Sequence, residues 1–124
     1  MADGGARAAC VIVTYDALPW ITQSLESVSG VETVVVDNGS SDGTVAVVRD
    51  RFPDVHVLES ENRGLSAGWN AGIRATTAEH VLLLNADAWL VDDALDALVA
   101  ADADFVLRAE RVDDTWWVAT VDLL

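Results

Sequence analysis

The sequence predicts an α/β fold, a mostly parallel sheet with helices on both faces. Three observations carry that prediction. Four apolar runs rich in β-branched residues end near Tyr15, Asp37, Glu59 and Asn85. Amphipathic stretches of helical length separate them, at 19–28, 43–52 and 65–75. Two of the runs, VVVDNGSSDGT and HVLLLNAD, break abruptly into acidic and small polar residues. Strand–helix alternation at this spacing argues for parallel strands joined by right-handed crossovers. In such a sheet, ligands bind in the crevice beyond the carboxyl ends of the strands.

The elements follow in order. The first run, ACVIVTY, holds the single cysteine, Cys10, as a small buried hydrophobe. Pro19 suits the first turn of the helix over 19–28. The polar run from Ser40 to Asp42 supplies an N-cap for the helix over 43–52. In ENRGLSAGWNAGIR, Gly64, Gly68 and Gly72 recur every four residues and line one helical face. Glycine costs ~1 kcal/mol against alanine inside a helix, so that face needs close approach to a strand or a ligand. Trp69 reads as core. After Asp87 a helix is expected over 91–101, with Leu95, Leu98 and Val99 on one face and Asp92 and Asp93 at its start. Two short strands follow, around 104–109 and 115–121. Residues 1–8 read as a flexible leader and 9–124 as a single domain.

Composition narrows the function. The chain has 124 residues, 52% of them hydrophobic, which supports one packed core. Its net charge is −14, from 21 acids against seven bases, and every base is Arg. Nucleic acid is therefore excluded as a partner, because neutralising phosphates needs a basic face. One cysteine permits neither an internal disulfide nor a multi-cysteine zinc site. His56 and His80 lack ligand-like spacing and read as structural. There is no signal-peptide pattern, and no apolar run reaches the ~18–20 residues that span a bilayer, so a cytoplasmic protein is expected.

The loops after the strands carry the chemistry. The first lacks the Gly-x-Gly-x-x-Gly turn of a dinucleotide site, and no P-loop is present. Asp37 either reads a nucleoside or begins the turn at Asn38 and Gly39. Arg63 either meets a phosphate or a base, or stands solvated. Asn85 and Asp87 form a sparse oxygen-donor set that Mg²⁺ or Mn²⁺ accepts when phosphate oxygens and waters complete the octahedron.

Together, VIVTY, VVVDNGSSDGT, ENRGLSAGWNAGI and LLLNADAWL resemble the blocks of family 2 glycosyltransferases, over about 10–100. The likeness is to the rhamnosyl- and galactofuranosyl-transferase-like branch of that family. It implies the nucleotide-binding half of a Rossmann-like GT-A fold and a nucleoside-diphosphate-sugar donor, with UDP or dTDP as the carrier. Residue by residue, it implies that Thr14 and Tyr15 lie against the base. Asp37, with Asn38 beside it, accepts a hydrogen bond from the base, and Arg63 and Gly64 approach the nucleotide. Asn85 and Asp87 match an Asp-x-Asp-type motif with Asn in the first place, which makes Asp87 the expected ligand of Mg²⁺ or Mn²⁺. Family members continue into a second half that binds the acceptor and supplies a base for inverting displacement. Here Glu110, Asp113 and Asp114 are the late acids near a plausible site, apart from Asp122 at the end, and a solvated loop is the favoured reading of them. Trp116 and Trp117 could stack on a sugar, cap the sheet or form a dimer contact.

Three other classes compete with this reading. A non-catalytic nucleotide-sugar-binding module acting with a partner chain fits the same donor residues. A signalling receiver domain needs an acidic pair after the first strand and a late Lys, both missing. A sugar nucleotidyltransferase needs a Gly-rich loop and a Lys after the first strand, and the sequence has neither there. A half-length sheet with an apolar edge leads us to expect a homodimer. The acceptor is not readable.

Overall fold

A computed structural model of the chain describes residues 8–91, 94–101, 105–112 and 115–123. Of the expected leader, residues 1–7 lie outside this set, and Ala8 already belongs to the first strand. The chain divides into two compact units, Met1–Trp89 and Leu90–Leu124.

The first unit is built from β1 (Ala8–Thr14), α1 (Leu18–Glu26), β2 (Glu32–Asp37), α2 (Thr44–Arg51), β3 (His56–Glu59), α3 (Leu65–Arg74) and β4 (His80–Leu83). Its four strands are all parallel, in the order β3-β2-β1-β4. The first two crossovers step outward from β1. The third returns over the sheet to the other side of β1. Right-handed connections then put α3 on the face opposite α1 and α2. The packing agrees, since α3 lies against β1 and β2 while α1 lies against α2. The expected α/β architecture is the observed one.

Two-sided cover explains why the strands are continuously apolar instead of alternating. Val11, Val13, Val34 and Val36 form a core to which Leu58, Trp69, Ala71 and Val81 add partly buried surface. Strand alternation sends Cys10, Ile12 and Val35 to the other face, and α1 and α2 bury Ile21, Leu25 and Val48. Each fully buried Val or Ile contributes roughly 1.5–3 kcal/mol.

The glycine face of α3 has a physical cause. A Cβ on Gly72 would lie 2.2 Å from Val11 Cγ1, and one on Gly68 2.9 Å from Val13 Cγ1. The missing side chains let the helix backbone settle on β1. Gly64 corrects the expectation, because it caps α3 at φ 97° and meets no neighbour. It is there for its left-handed φ and not for its size.

The cap of α2 also differs from expectation. Gly43 takes the N-cap position itself and makes no side-chain cap. The Asp42 carboxylate still accepts from the Thr44 N–H at 3.0 Å and from the Thr44 hydroxyl. The polar run therefore serves the helix start from one residue further out. Pro19 stands in the first turn of α1 as expected.

In the second unit, α4 (Ala94–Ala101) is followed by β5 (Phe105–Val112) and β6 (Thr115–Leu123), an antiparallel pair with a register shift at Arg108/Ala109. Leu95 and Val99 are half-buried. Asp92, Asp93, Asp113 and Asp114 lie outside the described residues. So the acidic start expected for α4 and the two base candidates have no described placement. Among the described residues, no helix is long and apolar enough to cross a membrane.

Candidate active site at the carboxyl edge of the sheet

Strand order locates the site. The order of connection reverses at β1, which has β2 on one side and β4 on the other, so the loops after the parallel strands β1 and β4 diverge into a crevice at a topological switch point. A cleft of about 240 Å³ lies there, lined by Val13, Tyr15, Ala17, Trp20, Asn85, Ala86 and Asp87. Beyond β4 the chain makes a turn in which the Ala88 N–H donates to the Asn85 carbonyl at 3.0 Å. Asn opens such turns readily, because its side chain bonds back to the main chain. The turn leaves Asn85 and Asp87 exposed at the cleft, with Ala86 half-buried between them. Ser24 on α1 is buried and directs its hydroxyl to the Asn85 carbonyl at 3.4 Å.

Across the cleft, Tyr15 and Trp20 are 60% and 49% exposed, unusual for aromatic side chains in a packed unit. Trp20 was not singled out from the sequence. Its signal was Pro19, which stands in the first turn of α1 with Trp20 next to it, beside the loop from β1.

A second cleft, about 410 Å³, opens beyond β2 and β3 and runs along α3. Asn38, Ser60, Glu61, Arg63, Gly68 and Arg74 are among its lining residues. Arg63 pairs with Glu61 at 3.4 Å, with both side chains largely exposed. A pair so exposed is worth under ~1 kcal/mol, so the guanidinium can leave it for a better anion. Asn38 is 5% exposed and makes two long hydrogen bonds, both 3.4 Å: its amide donates to the Gly64 carbonyl, and its carbonyl accepts from the Ser60 hydroxyl. Gly64 thus meets Asn38 through its backbone.

Thr14 and Asp37 sit between the clefts. They are register partners on β1 and β2, and neither is more than 2% exposed. The Thr14 hydroxyl donates to Asp37 Oδ1 at 2.7 Å and the Ser40 hydroxyl to the same oxygen at 2.6 Å. Asp37 Oδ2 accepts from the Gly39 and Ser40 amides at 3.1 and 2.8 Å. The residues named from the sequence therefore divide into three sets. Tyr15, Asn85 and Asp87 share the β1–β4 cleft, Asn38 and Arg63 share the α3 cleft, and Thr14 and Asp37 lie beneath the surface joining them.

The loops are charged but held. Asp42 accepts from the Thr44 hydroxyl, which holds its carboxyl below the usual range, and from the Leu18 amide at 3.2 Å. Cys10, fully buried in β1, has its thiol pushed up to about 12 by burial. Among the described residues, no three His, Cys, Asp or Glu side chains converge as a metal cage.

The model of the family described as "Glycosyl transferase family 2" matches residues 9–106. The chain belongs to glycosyl transferase family 2. A putative glycosyltransferase of Bacillus subtilis, EpsH, is 26% identical over 105 residues, covering 76% of this chain and 30% of that protein. The poly-beta-1,6-N-acetyl-D-glucosamine synthase of Staphylococcus epidermidis is 29% identical over 96 residues, covering 68% of this chain and 22% of that protein. The glycosyltransferase GlyA of Streptococcus pneumoniae is 26% identical over 96 residues, and the match takes in 14% of its length. The chain thus spans under a third of the curated relatives it matches. Among solved structures, Staphylococcus aureus TarS 1-349 superposes with a TM-score of 0.68 at 23% identity, covering 76% of this chain and 31% of that one. The same protein in complex with UDP-GlcNAc gives 0.67 at 24% identity. That likeness is one of fold.

Proposed function

We propose that this chain binds the donor of a glycosyltransferase reaction, a nucleoside-diphosphate sugar, along the carboxyl edge of its sheet. The observation that carries this reading is the crevice at the β1–β4 switch point, with Asn85 and Asp87 on one wall and Tyr15 and Trp20 on the other. The α3 cleft, bordered by Asn38, Arg63 and Arg74, adjoins the neighbouring strand ends. Together the two offer oxygen donors and aromatic faces in one place, guanidinium groups in the other. A diphosphate joined to a sugar and a nucleoside needs that combination. The TarS structures with UDP-GlcNAc and with UDP support a uridine carrier, with dTDP as the alternative. Asn85 in place of an acid supports the rhamnosyl- and galactofuranosyl-transferase-like branch.

Asp87 is the carboxylate that would hold Mg²⁺ or Mn²⁺. One exposed carboxylate fits such an ion when it keeps several waters and takes substrate phosphates as further ligands. When bound, the ion offsets diphosphate charge on the leaving group. Asn85 contributes a neutral amide beside it, and Arg63 moves from Glu61 onto a phosphate. Tyr15 and Trp20 exclude water and stack on flat ligand surface. Inversion at the anomeric carbon needs a base, for which Asp113 and Asp114 remain the candidates from sequence. A cytoplasmic location and a homodimer belong to the same reading; a monomeric mass by light scattering would contradict the latter.

The test is calorimetric titration with UDP, dTDP and GDP, with and without Mn²⁺, on the wild type and Asp87→Ala. Metal-dependent binding of one nucleotide, weakened at least tenfold in the variant, is expected. No binding by the wild type under any condition sinks the reading. Sugar transfer abolished by Asp87→Ala would eliminate the non-catalytic module.

A further inference from the structure

Residues flanking the two clefts are tied to one another. Tyr15, in the β1–β4 cleft, stands between Thr14 and Asp16. Asn38, in the α3 cleft, stands between Asp37 and Gly39. All four flanking residues belong to one hydrogen-bonded chain. It starts at Asp37, whose carboxylate takes the Thr14 hydroxyl, the Ser40 hydroxyl and the Gly39 and Ser40 amides. The Ser40 hydroxyl in turn accepts from the Asp16 N–H at 2.8 Å, and Asp16 Oδ1 accepts from the Ser41 N–H at 2.7 Å. The Asn38 N–H donates to the Thr14 carbonyl at 2.9 Å. Asp16 holds a left-handed φ of 51°, uncommon outside glycine though better tolerated by Asp than by most residues.

A carboxylate offers about four acceptor positions, and Asp37 has four donors. At 2% exposure it also presents almost no surface to a ligand. Resting on the donor-site reading above, we propose that Asp37 is a positioning residue. It acts through Thr14, Ser40 and Asp16, and holds Tyr15 and Asn38 in one register, so that both clefts meet the same ligand. Ser40 is the pivot, because its hydroxyl is the one side-chain group that donates to Asp37 and accepts from the loop after β1. Asp37 itself does not contact the base.

The proposal separates two outcomes that a simple loss of binding would merge. UDP and CDP are titrated into wild type, Ser40→Ala, Thr14→Val, Thr14→Ser and Asp37→Asn, each at a temperature where circular dichroism shows it fully folded. The base of CDP lacks the N3–H of uracil. Positioning predicts that Ser40→Ala, at a half-buried loop residue, and Thr14→Val, at a buried one, each weaken UDP about tenfold, the value of one lost hydrogen bond to a charged group. Thr14→Ser keeps the hydroxyl and restores wild-type binding. The UDP-to-CDP preference in Asp37→Asn equals that of the wild type. If that preference collapses in Asp37→Asn alone, Asp37 touches the base and the proposal is overturned. It is equally overturned if Ser40→Ala and Thr14→Val bind UDP as the wild type does. Should the wild type bind neither nucleotide, the donor-site reading itself fails, and this proposal with it. Should Asp37→Asn not fold, the Ser40 and Thr14 arms decide.

Discussion

Cys10 shows how strongly burial governs a single group in this sheet. Its thiol is fully enclosed, and its pKa rises from 9.0 to about 12. The folded state therefore favours the protonated form more than the unfolded state does. The resulting stability is fully present below pH 9 and is lost as pH rises from 9 towards 12. At about pH 10.5 the loss should reach ~2 kcal/mol, by the 1.36 kcal/mol carried per pKa unit. Urea unfolding of wild type and Cys10→Ala, compared at pH 8 and about pH 10.5, measures it as a difference that cancels the other titrating groups. Native Cys10 should also resist alkylation at pH 8. Fast modification without unfolding would contradict both expectations. That Cys10 is a buried hydrophobe was legible from the run ACVIVTY alone. The surroundings of Asp37 were not, because its four donors come from Thr14, 23 residues away, and from a turn whose shape no local pattern records. The sequence marks where an acid ends a strand. It does not say how many donors the turn will aim at it.

At the level of elements, α3 depends most on one detail. Its contact with β1 exists because Gly68 and Gly72 lack side chains against Val13 and Val11. An alanine at Gly72 gains ~1 kcal/mol of helix propensity but forces Cβ towards a fully buried valine in a close-packed layer. Overpacking costs about 1–3 kcal/mol, and Val11 is β-branched and stiff, so the clash should win. Gly72→Ala should lower Tm by roughly 5–10 °C. In a Val11→Ala background the same substitution should cost less, because the obstructing Cγ1 is gone. Equal cost in both backgrounds would mean that the helix shifts freely on the sheet. The spacing of Gly68 and Gly72 announced this contact, and it rightly suggested a strand as one reason. It misread Gly64, whose position at the helix start demands a backbone angle and not a close approach. The cap of α2 was displaced for a related reason. The Asp42 carboxylate also bonds the Leu18 amide of α1, a tertiary contact that local capping rules do not contain.

Across the whole molecule, charge works against the ligand proposed above. A chain of net charge −14 repels a nucleoside diphosphate, while Arg63 and Arg74 supply local attraction at the α3 cleft. Net repulsion acts over the Debye length, about 10 Å at 0.1 M salt, whereas a direct guanidinium–phosphate contact is screened much less. Salt should therefore remove more repulsion than attraction. Without metal, the ratio of UDP affinity to uridine affinity should rise as NaCl goes from about 0.02 to 0.3 M, the reverse of ordinary phosphate-binding proteins. Comparing the two ligands cancels changes in base binding. A falling ratio would mean that the two arginines outweigh the global field, and that a divalent ion is less needed at Asp87 than the composition implies. A rising ratio that flattens when Mn²⁺ is added would tie the acidity of the chain to metal-assisted binding. The fold itself was legible because parallel strands covered on both faces must be continuously apolar, and these are. The position of the crevice required one further step, the strand order β3-β2-β1-β4, which no single run encodes and only the return of α3 across the sheet creates.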